Sequence, residues 1–175
     1  MNIALVCPYD FAYPGGVSTH VSRLAKNFTE AGHTVRILAP SSRPKEELDC
    51  ENLTVIGRPI AIRSGGSVAR MTISPRVSGP IKAVLKEENF DLIHLHEPLL
   101  PSLPIDVLRF SKSINVGTFH AYHGSHRGYG WWKLLLNRWF RRLHGKIAVS
   151  RPALEFVSRY FPGEYTIIPN GIDVD

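Results

Sequence analysis

Apolar positions along the chain follow two alternating rhythms. Short, nearly continuous apolar runs occur at Ile3–Cys7, Thr34–Ala39, Leu92–His96, Asn115–Phe119, Lys146–Val149 and Tyr165–Ile168. Such runs suit strands buried on both faces of a parallel sheet. Between them, apolar residues return every three or four positions. Val17, Val21, Leu24, Ala25 and Phe28 form one helical stripe, which stops at Ala31-Gly32-His33, where Gly32 suits a left-handed helix terminus. Further helices are predicted over Val77–Glu88, with Pro80 delaying or kinking the start, over Leu103–Ser111 and over Trp131–Leu143. A last helix opens at Pro152 behind a Ser150 cap and runs to about Tyr160. Residues 41–70 are less regular, with short strands near Leu53–Ile56 and Pro59–Ile62 and a loop at Ser64-Gly65-Gly66-Ser67.

Strand and helix thus alternate about six times with short links, the signature of a doubly wound, mostly parallel α/β sheet of Rossmann-like type. Ligands bind such sheets at the carboxyl ends of the strands, and the three most unusual segments, residues 8–16, 96–101 and 119–130, all follow strand ends. Residues 1–168 read as one domain. The turn-rich Pro169-Asn170-Gly171-Ile172-Asp173 reads as the start of a linker.

Composition changes the picture at one place. The chain has 21 Lys and Arg against 15 Asp and Glu, for a formal charge of +6. No acid lies between Asp106 and Glu155, while nine bases do: Arg109, Lys112, Arg127, Lys133, Arg138, Arg141, Arg142, Lys146 and Arg151. Outside that block twelve bases face all fifteen acids, a balance of −3. A mildly acidic scaffold therefore carries one basic block, which points to an anionic partner met locally. Hydrophobic content of 43% and charged content of 21% exclude a disordered chain. No apolar run approaches the roughly 18 residues of a membrane-spanning helix. The first residues read as a strand and not as a signal peptide, and two cysteines form neither a disulfide framework nor a zinc spacing, so a reducing cytosol is expected.

Candidate chemistry lies at the strand ends. Pro14-Gly15-Gly16-Val17 joins the first strand to the first helix, where glycine admits a ligand to the backbone and free N–H groups attract phosphate; a ligand-free tight turn is the plainer alternative. The dinucleotide fingerprint is absent: there is no Gly-x-Gly-x-x-Gly, and the second strand ends Leu38-Ala39-Pro40-Ser41 without an acid for a ribose. His94 and His96 alternate on a strand and so share a face; without a third ligand at metal spacing, hydrogen bonding within the protein is preferred to a metal pair. His120 lies just past a strand end, placed to exchange a hydrogen bond with a substrate hydroxyl. The helix 131–143 aligns Trp132, Leu135, Leu136, Trp139 and Leu143 and turns Lys133, Arg138 and Arg141 elsewhere. It is either a core-packing helix with a solvated basic face or an interfacial helix on anionic lipid.

These segments occur in an order that resembles the N-terminal half of a GT-B glycosyltransferase of the retaining family 4 type. The matching strings are Val6-Cys7-Pro8-Tyr9, Pro14-Gly15-Gly16-Val17 with His20-Val21, Ala31-Gly32-His33-x-Val35, Gly66-Ser67-Val68-Ala69-Arg70, Asp91-x-Ile93-His94-x-His96-Glu97-Pro98, Thr118-Phe119-His120, Ile147-Ala148-Val149-Ser150 and Ile168-Pro169-Asn170-Gly171-Ile172-Asp173. Among members of the family, the chain most resembles the phosphatidylinositol mannosyltransferases. The resemblance implies a nucleotide-sugar donor, GDP-mannose in that subgroup, no metal or other cofactor, and a lipid or other anionic acceptor. It implies that Gly15 and Gly16 lie against the donor diphosphate and that His120 is the catalytic side chain beside the transferring sugar. Tyr9 and Arg70, with His123 and Arg127 of the following loop, would face the acceptor. Trp131, Arg138, Arg141 and Arg142 would make a peripheral contact with the inner face of the plasma membrane. Transfer would retain anomeric configuration by front-face attack, and a C-terminal donor-binding domain would follow residue 175. Two other readings use the same residues: a non-enzymatic nucleic-acid or anion-binding module built on residues 107–154, although nucleic acid is not the expected partner, and a GT-B nucleotide-sugar epimerase.

Overall fold

A computed structural model describes residues 1–64, 67–120 and 126–171, except for the side chains of residues 63, 64, 67 and 126–132. β1 (Asn2–Val6) leads into α1 (Gly16–Glu30) and β2 (Thr34–Ala39). Gly32 ends α1 as its sequence foretells. At φ 85° it donates to Thr29 O, while His33 N–H reaches back to Phe28 O, both at 3.0 Å, which satisfies those two carbonyls of the last turn. A short helical turn precedes β3 (Leu53–Val55), after which β4 (Ile60–Ser64) and β5 (Ser67–Met71) pair antiparallel as a separate hairpin. Then follow α2 (Ser78–Glu88), β6 (Leu92–His96), α3 (Leu103–Phe110), β7 (Ile114–Phe119), α4 (His126–Phe140), β8 (Gly145–Ala148), α5 (Arg151–Tyr160) and β9 (Thr166–Ile167).

The elements differ from the sequence reading in three places. β5 was not foreseen, because Ile60 and Val68 are both about half exposed and the hairpin's alternation marks no core face. Pro80 neither delays nor kinks α2: it stands in the first turn, where its missing N–H has no intrahelical partner to lose. α4 begins at His126 and closes at Phe140, so Leu143 belongs to the turn beyond it. Leu135 leaves the proposed stripe and is exposed, and Phe140 takes its place in the core with Leu136. α5 is capped as expected, Ser150 Oγ accepting from Ala153 N–H at 3.2 Å, with Pro152 one position further in than the first.

Among the described residues, seven parallel strands form the main sheet in the order β3-β2-β1-β6-β7-β8-β9. The chain winds outward from β1 to β3, then returns beside β1 and winds the other way, so the order reverses between β1 and β6. Side chains alternate across β1. Ile3, Leu5 and Cys7 pack with Val21 and Ala25 of α1, whereas Ala4 and Val6 join the core of Ile81, Leu103, Val107, Leu136 and Phe140. Ile93 and Leu95 of β6 enter that second core. The same two-residue period turns His94 and His96 to the opposite face, where they are nonetheless buried.

Candidate functional site

The strand-order reversal opens a cleft of ≈ 390 Å³. Its walls are the turn after β1 (Tyr9, Asp10), the start of α1 (Gly15, Gly16), Arg70 of β5, and Glu97 and His120 at the ends of β6 and β7. Five residues singled out in the sequence, Tyr9, Gly15, Gly16, Arg70 and His120, therefore meet at the place where doubly wound sheets bind ligands.

His120 belongs to a packed group of four imidazoles. The rings of His94 and His96 stack with centroids 4.5 Å apart, and that of His120 meets His96 edge to edge, centroids 5.2 Å apart. His20 of α1 stands edge-on to both His96 and His120, at 5.5 and 5.6 Å. Hydrogen bonds fix the arrangement. His94 Nε2 lies 2.6 Å from Thr118 Oγ1, and His96 Nδ1 lies 2.9 Å from His120 Nε2. His96 Nε2 and His120 Nδ1 are buried without partners. Burial lowers the pKa of all four below the usual 6.5, to about 4 for His94 and His120 and well below 6.5 for His96, where the neighbouring imidazoles add to the effect. The cluster is neutral at pH 7. Among the described residues, no three His, Cys, Asp or Glu side chains are arranged to hold a metal ion.

Glu97 locks this group to the strand end. Its backbone sits at φ 51°, a left-handed conformation that costs a non-glycine residue free energy and is held here by the bonds around it. Its N–H donates to Thr118 O at 2.8 Å, and its carboxylate Oε1 accepts the His120 backbone N–H at 2.6 Å. Burial, aided by the Glu97 charge, pushes the Tyr9 phenol up, so Tyr9 stays protonated and can donate. Arg70 lays its guanidinium over the Tyr13 ring, 4.1 Å from the centroid, and its carbonyl accepts from Asp10 N–H.

At the start of α1 no side chain caps the free N–H groups. A Cβ built on Gly16 would meet nothing within 4 Å, so the space over this helix terminus is open. Asp10 is 3% exposed; its Oδ1 accepts from Ala12 N–H and Ser42 N–H at 3.1 and 2.9 Å, and its Oδ2 is buried with no partner. The sequence reading passed over Asp10, Glu97 and His20 as site residues, and assigned His96 only a structural bond. The Asp after Cys-Pro-Tyr, in the turn after β1, and the Glu of His-Glu-Pro, directly beyond β6, were the available signals.

The remaining sequence candidates stand apart. His123 and the side chains of Arg127 and Trp131 lie outside the described residues. No described residue of α4 lines the cleft. Arg138 and Arg141 are exposed, while Arg142 donates to Ser111 O at 2.7 Å and ties the end of α4 to the end of α3. Leu134 is 91% exposed, and Leu135 beside it is also exposed. Among the described residues, no helix is long and apolar enough to cross a membrane.

The sequence profile described as Glycosyltransferase Family 4 matches residues 14–175, nearly the whole chain. The chain belongs to Glycosyltransferase Family 4. It is 38% identical over 175 residues to a phosphatidyl-myo-inositol mannosyltransferase of Mycobacterium leprae, a match covering 100% of this chain and 46% of that protein. The enzyme of the same name from Propionibacterium freudenreichii is 33% identical, over 98% of this chain and 46% of its own length. The Family 4 chain thus spans about half the length of the curated relatives it matches. Its fold is that of solved glycosyltransferases. A Rickettsia africae glycosyltransferase superposes with a TM-score of 0.63 at 18% identity, over 98% of this chain and 43% of that one. Anabaena HepE, solved with UDP-glucose, superposes at 0.65 and 16% identity, over 99% of this chain and 44% of that one. The Rossmann-like sheet is one half of a GT-B fold.

Proposed function

We propose that this domain is the acceptor-side half of a retaining glycosyltransferase that moves a hexose, mannose by analogy with the named relatives, from a nucleotide sugar to a lipid or other anionic acceptor. One observation carries the reading: an uncapped helix N-terminus, a neutral His120 and the Tyr9–Arg70 wall share one cleft at the strand-order reversal of a Family 4 domain.

Each part has work suited to its chemistry. The backbone N–H groups at Gly16 take the donor diphosphate, aided by the helix dipole. His120, neutral and held by Glu97 and His96, bonds a hydroxyl or ring oxygen of the transferring sugar and orders an oxocarbenium-like transition state. Arg70 meets the acceptor's anionic group, while the protonated Tyr9 phenol and the unpaired Asp10 oxygen take up its hydroxyls. The leaving diphosphate serves as base, so no glycosidase-type carboxylate pair is required. A second domain, reached through residues 169–175, supplies the rest of the donor site, and the 175 residues alone are inactive. The exposed Leu134 and Leu135, flanked by Lys133, Arg138 and Arg141, form a face suited to an anionic bilayer at the cytoplasmic surface.

The test is calorimetry of the native gene product with GDP- and UDP-sugars, followed by transfer assays on His120→Ala. Binding of one nucleotide sugar and a loss of about 10²–10³ in kcat are expected. Absence of binding together with full activity of His120→Ala would sink the proposal.

A further inference from the structure

We propose that His96 is a positioning residue that fixes the tautomer of His120: His96 carries its proton on Nδ1 and donates it to His120 Nε2, so that His120 offers Nδ1–H to a ligand and keeps no ring lone pair free to act as a base.

The argument rests on where each arrangement leaves an unsatisfied donor. One hydrogen lies between His96 Nδ1 and His120 Nε2, 2.9 Å apart. If His120 supplied it, His96 would carry its own hydrogen on Nε2, an atom buried without a partner on a residue that is 0% exposed. A buried N–H with no acceptor is costly, and nothing arriving in the cleft would reach it. If His96 supplies it, His96 Nε2 is a bare lone pair and the unsatisfied N–H moves to His120 Nδ1. Nδ1 is buried too, but His120 lines the cleft and His96 does not, so of the two atoms it is the one beside the space a ligand enters. The surrounding geometry holds the donor in place: His94 stacks on one face of His96, and His20 stands edge-on to it. His94 is anchored in turn to Thr118. Burial keeps both rings uncharged at pH 7, so one hydrogen per ring is the correct count.

The consequence rests on the sugar-transfer reading of the cleft. His120 then stabilises an electron-rich oxygen by donation, and proton removal from the acceptor falls to another group, which agrees with a base supplied by the leaving diphosphate.

Histidine-¹⁵N NMR of the native gene product reads the tautomers directly, and His96→Leu and His96→Asn read their effect. The expected result is His120 protonated at Nδ1 in the unsubstituted protein. His96→Leu should mix the tautomers and lower kcat about tenfold with KM little changed, whereas His96→Asn, whose amide N–H replaces the lost donor, should stay within about threefold. His120 protonated at Nε2, or equal impairment of the Leu and Asn variants, would overturn the assignment. A protein that shows the Nδ1–H tautomer yet transfers no sugar leaves the assignment standing and removes the reading of the cleft.

Discussion

At Gly16 the backbone is not in the left-handed region and an added Cβ would touch nothing, so neither conformation nor packing asks for glycine. What remains is room for a ligand against the helix terminus. Gly16→Ala should therefore leave stability within about 1 kcal/mol, since alanine is the better helix former, while weakening nucleotide-sugar binding at least about tenfold. Thermal unfolding and calorimetry on the same sample check both halves. The histidines make a second residue-scale prediction. Their folded pKa values lie below 6.5, near 4 for His94 and His120, so between those limits the unfolded chain binds protons that the folded one refuses. The stability they allow is fully present above about pH 6.5 and is lost as pH falls toward 4. A melting temperature that declines through this window, less steeply in His94→Asn, is expected; a flat profile would count against a neutral buried cluster.

Among the elements, β6 shows how far sequence pattern reaches. Its continuous run gave the strand, and its period of two put His94 and His96 on one face. That His96 touches His20 and His120 was not legible, because the three residues come from β6, α1 and the end of β7, and only the parallel register and the packing of α1 bring them together. The β4–β5 hairpin was half missed for the opposite reason, since it buries too little apolar surface to leave an alternating signature. For α4 the sequence left two roles open; the structure shows core packing, with Leu136 and Phe140 buried, and leaves Leu134, Leu135, Arg138 and Arg141 facing outward. Co-sedimentation with anionic vesicles should drop about fivefold or more for a Leu134→Ser, Arg138→Ala, Arg141→Ala variant and stay unchanged for Arg142→Ala, whose guanidinium is already engaged with Ser111. Equal binding by all three proteins would remove α4 as the membrane contact.

Across the whole molecule, the doubly wound topology does most of the positioning. A sheet whose order reverses between β1 and β6 brings residues from the first turn, the hairpin and two later strand ends to one cleft, and the order of motifs along the sequence foretold much of that convergence. The carboxylates of Asp10 and Glu97 were hidden because a single acid after a strand has no periodic signature; their roles come from the left-handed turn at Glu97 and the unpaired oxygen of Asp10. The anomeric configuration of the product decides whether the full protein carries out retaining transfer to an acceptor. Incubating the native gene product with its nucleotide sugar and an anionic lipid extract, then reading the new glycosidic linkage by NMR, should show one added hexose in the α configuration of the donor, absent in His120→Ala. An inverted linkage, or sugar epimerised without any acceptor, would contradict the account.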